Sequence, residues 1–266
     1  MTRRSLFGTA RFARALATTS IRSAMALRAS FWMQVVFMVL NNFTFLVFWW
    51  ALLAKVPSIR GWRLADVAVL YGVTAAGFGL AVTFFGGALQ LGRTIDDGEL
   101  DPLLVQPKPT LLYAAGSRSL ASGLGDFASG IALLALSGQV SVWRAPLALL
   151  AIVTSGLVFI ASTTIFQSLT FWLGRSEAFA RQLWDATLNF SLYPEPLFGG
   201  GLRLLLFTII PAGFVGYVPA NLVRHPSAAG ASLAVTAALA YVALAHWVFR
   251  RGLKRYASGS RFGVFG

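Results

Sequence analysis

Six long apolar runs, at 31–54, 67–91, 115–136, 146–173, 202–223 and 228–249, alternate with shorter polar stretches. Each is long enough to cross the hydrocarbon core of a bilayer as a helix, which takes about 20 residues. The pattern predicts an all-α integral membrane protein with six transmembrane helices. The 146–173 run is long enough to tilt, and the 115–136 run is the least apolar. Small residues mark where helices are expected to approach closely: Gly72, Ala76, Gly79, Gly86 and Gly87 in the second run, Gly116, Ser119, Gly123 and Gly130 in the third. Asn41 and Asn42, near the middle of the first run, are expected to hydrogen-bond a neighbouring helix. Pro211 and Pro219 in the fifth each free a carbonyl four residues earlier and predict kinks.

The polar stretches carry patterns of their own. Residues 1–30 hold no acid, and on a helical wheel the arginines at 3, 4, 11, 14, 22 and 28 fall within roughly 120°. Leu6, Phe12, Ala13, Leu16 and Leu27 take much of the opposite side, while Phe7, Ile21 and Met25 break the sorting. An N-terminal amphipathic helix lying in the headgroup plane is expected. A disordered basic tail and an organellar transit peptide share this composition, whereas a secretory signal would need a compact apolar core and cleavage site after the arginines. In 174–201, Glu177, Arg181 and Asp185 are spaced i, i+4, i+8, opposite Phe179, Leu183, Ala186 and Phe190. A second amphipathic helix at the membrane face is expected there.

Between the second and third runs lies 91–112, LGRTIDDGELDPLLVQPKPTLL, with Asp96, Asp97, Glu99 and Asp101 among the nine acids of the chain. If the second span continues helically to Asp97, then Asp96 and Asp97 sit at a helix C-terminus, where the dipole disfavours anions by some tenths of a kcal/mol. A cationic partner is then expected. Asp101 and Pro102 read as N-cap and first residue of a short helix carrying Leu103 and Leu104, with Val105 beside them and Pro107 ending it after little more than one turn. A solvated loop, a docking element for another protein and a cation site all suit such a cluster, although the spacing is not that of a calcium loop.

Composition narrows the class. The chain of 266 residues is 57% hydrophobic and only 12% charged, against about a quarter charged in soluble domains, and one membrane domain over 1–266 is expected. It has no cysteine, which excludes disulfides and thiolate metal sites. The net charge of +13 is sorted by position. With the N-terminus inside, 17 of the 22 basic residues fall in the segments 1–30, 92–118, 174–203 and 250–266, leaving Lys55, Arg60, Arg63, Arg144 and Arg224 outside. Both termini are therefore expected in the cytoplasm, and nucleic acid is not an expected partner. Trp49, Trp50, Trp62 and Trp143 fall near the outer surface, Trp32, Trp172 and Trp247 near the inner one, with Trp184 in the inner amphipathic helix.

Resident catalytic chemistry is not apparent. The phosphate loop G-x-x-x-x-G-K-[ST] is absent, as are H-E-x-x-H and G-x-S-x-G. Neither His225 nor His246 has an acid and a serine nearby in sequence. Asp126, inside the third run, is the one sharp intramembrane acid. Pairing with Arg118, two turns earlier, and a role in a transport path are both open to it.

The run Ile95-Asp96-Asp97-Gly98-Glu99-Leu100-Asp101…Leu104-Val105-Gln106-Pro107 resembles the loop after the second span in permeases of the type-2, exporter class of ATP-binding-cassette transporters, in a six-span bacterial branch. Tyr193-Pro194…Phe198…Leu202-Arg203, Ile209-Ile210-Pro211-Ala212 and Tyr217-Val218-Pro219-Ala220 are similar to that branch too. The resemblance implies a connecting helix over 1–30 and a cytoplasmic coupling helix in 92–114; with the cytoplasmic amphipathic segment 174–201 these separate the span pairs 31–91, 115–173 and 202–249, before the basic tail 250–266. It implies a second permease copy or homologue and a nucleotide-binding ATPase subunit. That subunit would bind ATP and Mg; no cofactor is expected in this chain. Asp96, Asp97, Glu99, Leu100, Asp101, Leu103 and Leu104 would contact the ATPase subunit; Asp126, Pro211 and Pro219 would belong to the transport path or its gating. A bacterial inner membrane and surrounding lipid are implied. A stand-alone carrier driven by an ion gradient is the alternative; the scarcity of intramembrane acids counts against it.

Overall fold

The computed structural model describes residues 3–256, so the tail that includes Arg261 lies outside the described residues. Among them the secondary structure is helical, without a strand, apart from an isolated bridge between Ile59 and Trp62 that closes one tight loop. The chain runs through α1 (Arg3–Ala24), α2 (Arg28–Leu53), α3 (Leu64–Phe85), α4 (Leu91–Asp96), α5 (Asp101–Leu104), α6 (Thr110–Gly116) and α7 (Ser122–Leu136). It continues through α8 (Ala145–Ser168), α9 (Thr170–Leu173), α10 (Glu177–Ser191), α11 (Gly200–Leu206), α12 (Val218–Arg224) and α13 (Ala228–Leu253). A 3₁₀ stretch, Gly86–Gln90, joins α3 to α4, and a π-helical turn, Gly213–Tyr217, leads into α12. Among the described residues, four helical stretches are long and apolar enough to cross a membrane: Arg28–Leu53, Leu64–Asp96, Val142–Leu173 and Ala228–Leu253.

Helix α3 is the centre of the bundle, because its small residues let two neighbours approach to backbone distance. A Cβ on Gly72 would meet the Gly130 carbonyl oxygen at 2.9 Å, and one on Gly79 would collide with the Gly123 carbonyl. On the other side, a Cβ on Gly77 would lie 2.6 Å from the Ser155 hydroxyl of α8. The expected tight packing of the second and third runs is thus present, with α7 antiparallel along α3. Only α3 is almost wholly enclosed. Helices α2 and α13 turn large apolar side chains outward, among them Trp32, Phe37, Leu40, Phe48, Leu239 and Trp247. Such faces need hydrocarbon or a partner against them.

Two expectations meet a different arrangement. In the 174–201 segment, Phe179, Arg181, Gln182 and Asn189 of α10 stay exposed while its other face packs on the bundle. On that face Trp184 packs against Phe78 of α3 and Phe159 of α8, with centroids at 6.1 and 6.0 Å. The Ser191 carbonyl then accepts from Thr74 of α3. Beyond it, Tyr193 reaches Phe45 and Trp49 near the end of α2, and the Pro196 carbonyl accepts from Arg60. The 202–223 run is not one helix but a hairpin of α11 and α12. Both its ends lie at the Arg60–Asp66 end of the bundle: Arg203 pairs with Glu195 at 2.6 Å, and Arg224 pairs with Asp66 at 2.8 Å. Its tip, Thr208–Pro211, lines a cavity with Ser162 of α8 and Tyr241 and Leu244 of α13. The physical reason is backbone supply: Pro211 and Pro219 each lack the N–H that a continuous helix requires. Pro211 lies in the break after α11, whereas Pro219 sits at the start of α12, directly after the π turn.

Candidate functional site

The acidic stretch is built as a stem with a small tip. The stem is α4, which continues the line of α3 beyond the 3₁₀ stretch and ends at Asp96, with Asp97 as its C-cap. Leu91 and Ile95 are buried against Ala114 of α6 and Phe249 of α13. Gly92 passes so close to α8 that a Cβ there would lie 2.5 Å from the Gln167 amide oxygen. That oxygen accepts the Gly92 N–H at 3.2 Å, and the Gln167 Nε2 donates to the Leu89 carbonyl at 2.9 Å. One buried side chain therefore satisfies two backbone groups where the helix changes pitch. Gly98, at φ +77°, turns the chain toward the tip in a conformation that costs other residues energy.

The tip is α5, a single turn that begins with Asp101 and Pro102 and has no buried residue. Asp101 is the first helical residue, one position later than the expected N-cap, which is Leu100. Asp97 and Glu99 are exposed, Asp96 half-buried, and Leu104 42% and Val105 85% exposed. Leu103 leans on the stem's apolar cluster, and Leu100 is fully buried within it, so Leu100 serves the stem and presents no surface. The cation expected beside the helix-end acids is in the chain itself: Arg93 pairs with Asp97 at 3.3 Å, one turn back. Both partners are exposed, so the pair adds little stability. Asp101 turns one buried oxygen inward, beside the Tyr256 hydroxyl. Burial, with Asp101 next, pushes the Tyr256 phenol up to about 12. Tyr256 also packs on Phe171, so the end of α13 closes over the stem.

A second polar cluster lies inside the bundle. Asp126 is 4% exposed on α7, and Asn42 of α2 donates to its Oδ1 at 2.8 Å and to the Ser129 hydroxyl at 2.6 Å. Tyr71 of α3 donates to the Asn42 carbonyl oxygen at 3.0 Å. Asn42 thus bonds two neighbouring helices, as expected of a mid-span amide, while Asn41 is exposed. Arg118 does not reach Asp126. It donates to Gln90 instead, because the chain breaks between α6 and α7 and the two residues do not share one helix. Among the described residues, Asp126 Oδ2 has no hydrogen-bond partner. Pro211 and Pro219 are buried in the hairpin, apart from both clusters.

Three residues escaped the sequence reading. Gln167 and Tyr71 had a faint signal as polar groups in apolar runs. Asp66 had more, as a lone acid at the edge of one. Its carboxylate takes the Arg63 N–H at 2.9 Å, Gln139 at 3.0 Å and Arg224 at 2.8 Å, tying α3 to the α7–α8 loop and α12. Arg224 also lies 4.0 Å over the Trp62 ring. Among the described residues no group of three or more histidines, aspartates and glutamates is placed to hold a metal ion.

Compared with known families, residues 39–260 match the model described as ABC-2 family transporter protein. No curated protein and no solved structure matches the chain.

Proposed function

The chain belongs to the ABC-2 family of transporter proteins, and on that premise we propose that it is one permease subunit of an ATP-driven exporter. A separate nucleotide-binding subunit would bind ATP and Mg and dock on the α4–α5 segment. The observation that carries this reading is the tip: exposed Leu104 and Val105 stand between acids on a stem clamped to α8 and α13. A load applied there passes into the bundle through Gln167 and the Leu91–Ile95–Phe249 contacts rather than being lost in a loose loop. Asp97, Glu99, Leu104 and Val105 face the partner in this reading, with Asp96, Asp101 and Leu103 behind them.

In this proposal the chain crosses the membrane six times with both ends in the cytoplasm, and the fifth crossing is α10. The stretch from Ala114 to Gln139 follows α3 from Gly87 to Asp66, about 31 Å at 1.5 Å per residue, which matches a hydrocarbon core of about 30 Å. The α11–α12 hairpin then enters and leaves from the outer side. As a crossing helix, α10 turns Arg181, Gln182 and Asn189 away from its own bundle. Hydrocarbon solvates such groups poorly, which favours a second permease copy and a water-filled path against that face. Asp126, enclosed by Asn42, Tyr71 and Ser129, acts as a lock between α2, α3 and α7. A bacterial cytoplasmic membrane is the proposed location.

The test is co-purification and coupling. The tagged chain should carry with it a subunit bearing a phosphate-binding loop, and Glu99→Lys with Leu104→Asp should cut transport-linked ATP hydrolysis at least tenfold while the permease stays monodisperse. Unchanged coupling in that variant sinks the docking assignment. Transport by the chain alone in liposomes, driven by an ion gradient, would replace the ATP-driven reading.

A further inference from the structure

We propose that the groove between the 108–115 stretch and helices α8 and α13 is a binding site for one anionic phospholipid, which bridges the α4–α6 segment to the bundle. The groove is a cavity of about 580 Å³, within the size range of small-molecule sites. Its walls are Leu157 and Ala161 of α8, Val242 and Ala245 of α13, and Leu111 and Leu112 of α6. Its lower rim carries Lys108 and Arg250, and no acid among the described residues lines it.

The order of these residues along α13 gives the site a direction. From Arg250 at the rim to Val242 is eight residues, about 12 Å, and the lining over that length is apolar apart from His246, one turn above Arg250. Cations at the end nearest the basic helix terminus, with hydrocarbon-lined space above them, suit a phosphate headgroup with an acyl chain behind it. Water suits the upper part badly, because the Thr164 hydroxyl already bonds the Ile160 carbonyl and few polar partners are left. Arg250 has no carboxylate partner among the described residues, and Lys108 has only the Phe12 ring, 5.3 Å away. Basic grooves between helices on the cytoplasmic side attract anionic headgroups. This site is separate from the α5 tip, so the lipid acts on the position of the stem rather than on partner contact.

The probe is native mass spectrometry of the full-length chain, delipidated and offered palmitoyl-oleoyl phosphatidylglycerol or phosphatidylcholine. One phosphatidylglycerol per chain should survive activation that strips phosphatidylcholine. Lys108→Gln with Arg250→Gln should weaken its retention about twenty-fivefold, at roughly fivefold per cation, and Ala245→Phe should lower retention of either lipid. A photoreactive diazirine phosphatidylglycerol on the unaltered chain should label 157–161 and 242–249, which does not depend on any variant folding. Equal retention of both lipids, full retention by the Gln variant, or labelling confined to other faces overturns the proposal. Efficient displacement by glycerol phosphate overturns it in favour of a simple anion site. Because the chain has no cysteine, Val242→Cys is a clean reporter, and disulfide-linked dimers through it would show that a second copy fills the groove.

Discussion

Asn42 is the residue on which the inner polar cluster depends. It donates to Asp126 and Ser129 and accepts from Tyr71, so a single amide holds α2 to both α3 and α7. Asn42→Leu removes all three bonds and leaves a carboxyl and a phenol enclosed without these partners. Each unsatisfied group costs about 1–3 kcal/mol, so a loss of a few kcal/mol is expected, read as a lower unfolding midpoint in detergent. Asp126→Asn keeps the shape and an acceptor for Asn42, and should stay within about 1 kcal/mol of the parent. A midpoint unmoved by Asn42→Leu would refute the lock. Transport abolished by Asp126→Asn in a fully stable bundle would instead place Asp126 in the path.

At the scale of elements, the α3–α4 junction matters most. A 3₁₀ stretch breaks the α-helical ladder at Gly86–Gln90, and Gln167 supplies an acceptor and a donor there. Gln167→Leu should let the stem open locally. Amide hydrogen exchange across 89–95 is expected to rise about tenfold, corresponding to one net hydrogen bond of roughly 1.4 kcal/mol. Gln167→Glu keeps the acceptor for Gly92 and should fall between. Exchange unchanged in Gln167→Leu would mean that the Leu91–Ile95–Phe249 packing alone holds the stem. The sequence located the aspartates at the end of the stem and the one-turn length of α5, but put Asp101 at the N-cap, one position too early. It misassigned Leu100, because an apolar residue between two acids looks exposed until the chain beyond it folds back.

The whole molecule carries the largest revision, since the stretch 174–224 changes its path. In the proposed path Arg203, paired with Glu195, leaves the inner group of basic residues, and the charge bias of the remaining segments persists. Single cysteines in this cysteine-free chain test the path directly. Gly199 has open space around its Cβ position, so Gly199→Cys should react with an impermeant maleimide added outside intact cells. Arg175→Cys, before α10, should react only after permeabilisation. Equal labelling from one side would return α10 to the membrane surface and remove the fifth crossing.

Apolar content and run length were enough to make this a helical membrane protein, because hydrocarbon forces backbone groups to pair within a segment wherever chemistry permits. Charge bias, the glycine sites of close approach and the short acidic turn followed from local residue properties in the same way. Only the tertiary structure decided which runs are continuous helices and what the polar residues inside them meet. The 202–223 run had the length of a span, but two prolines and packing against α8 and α13 made it a hairpin. Helix α10 had the periodicity of a surface helix, yet Trp184 found its place between Phe78 and Phe159. Periodicity reports that a helix has two faces, and the neighbours determine what each face touches.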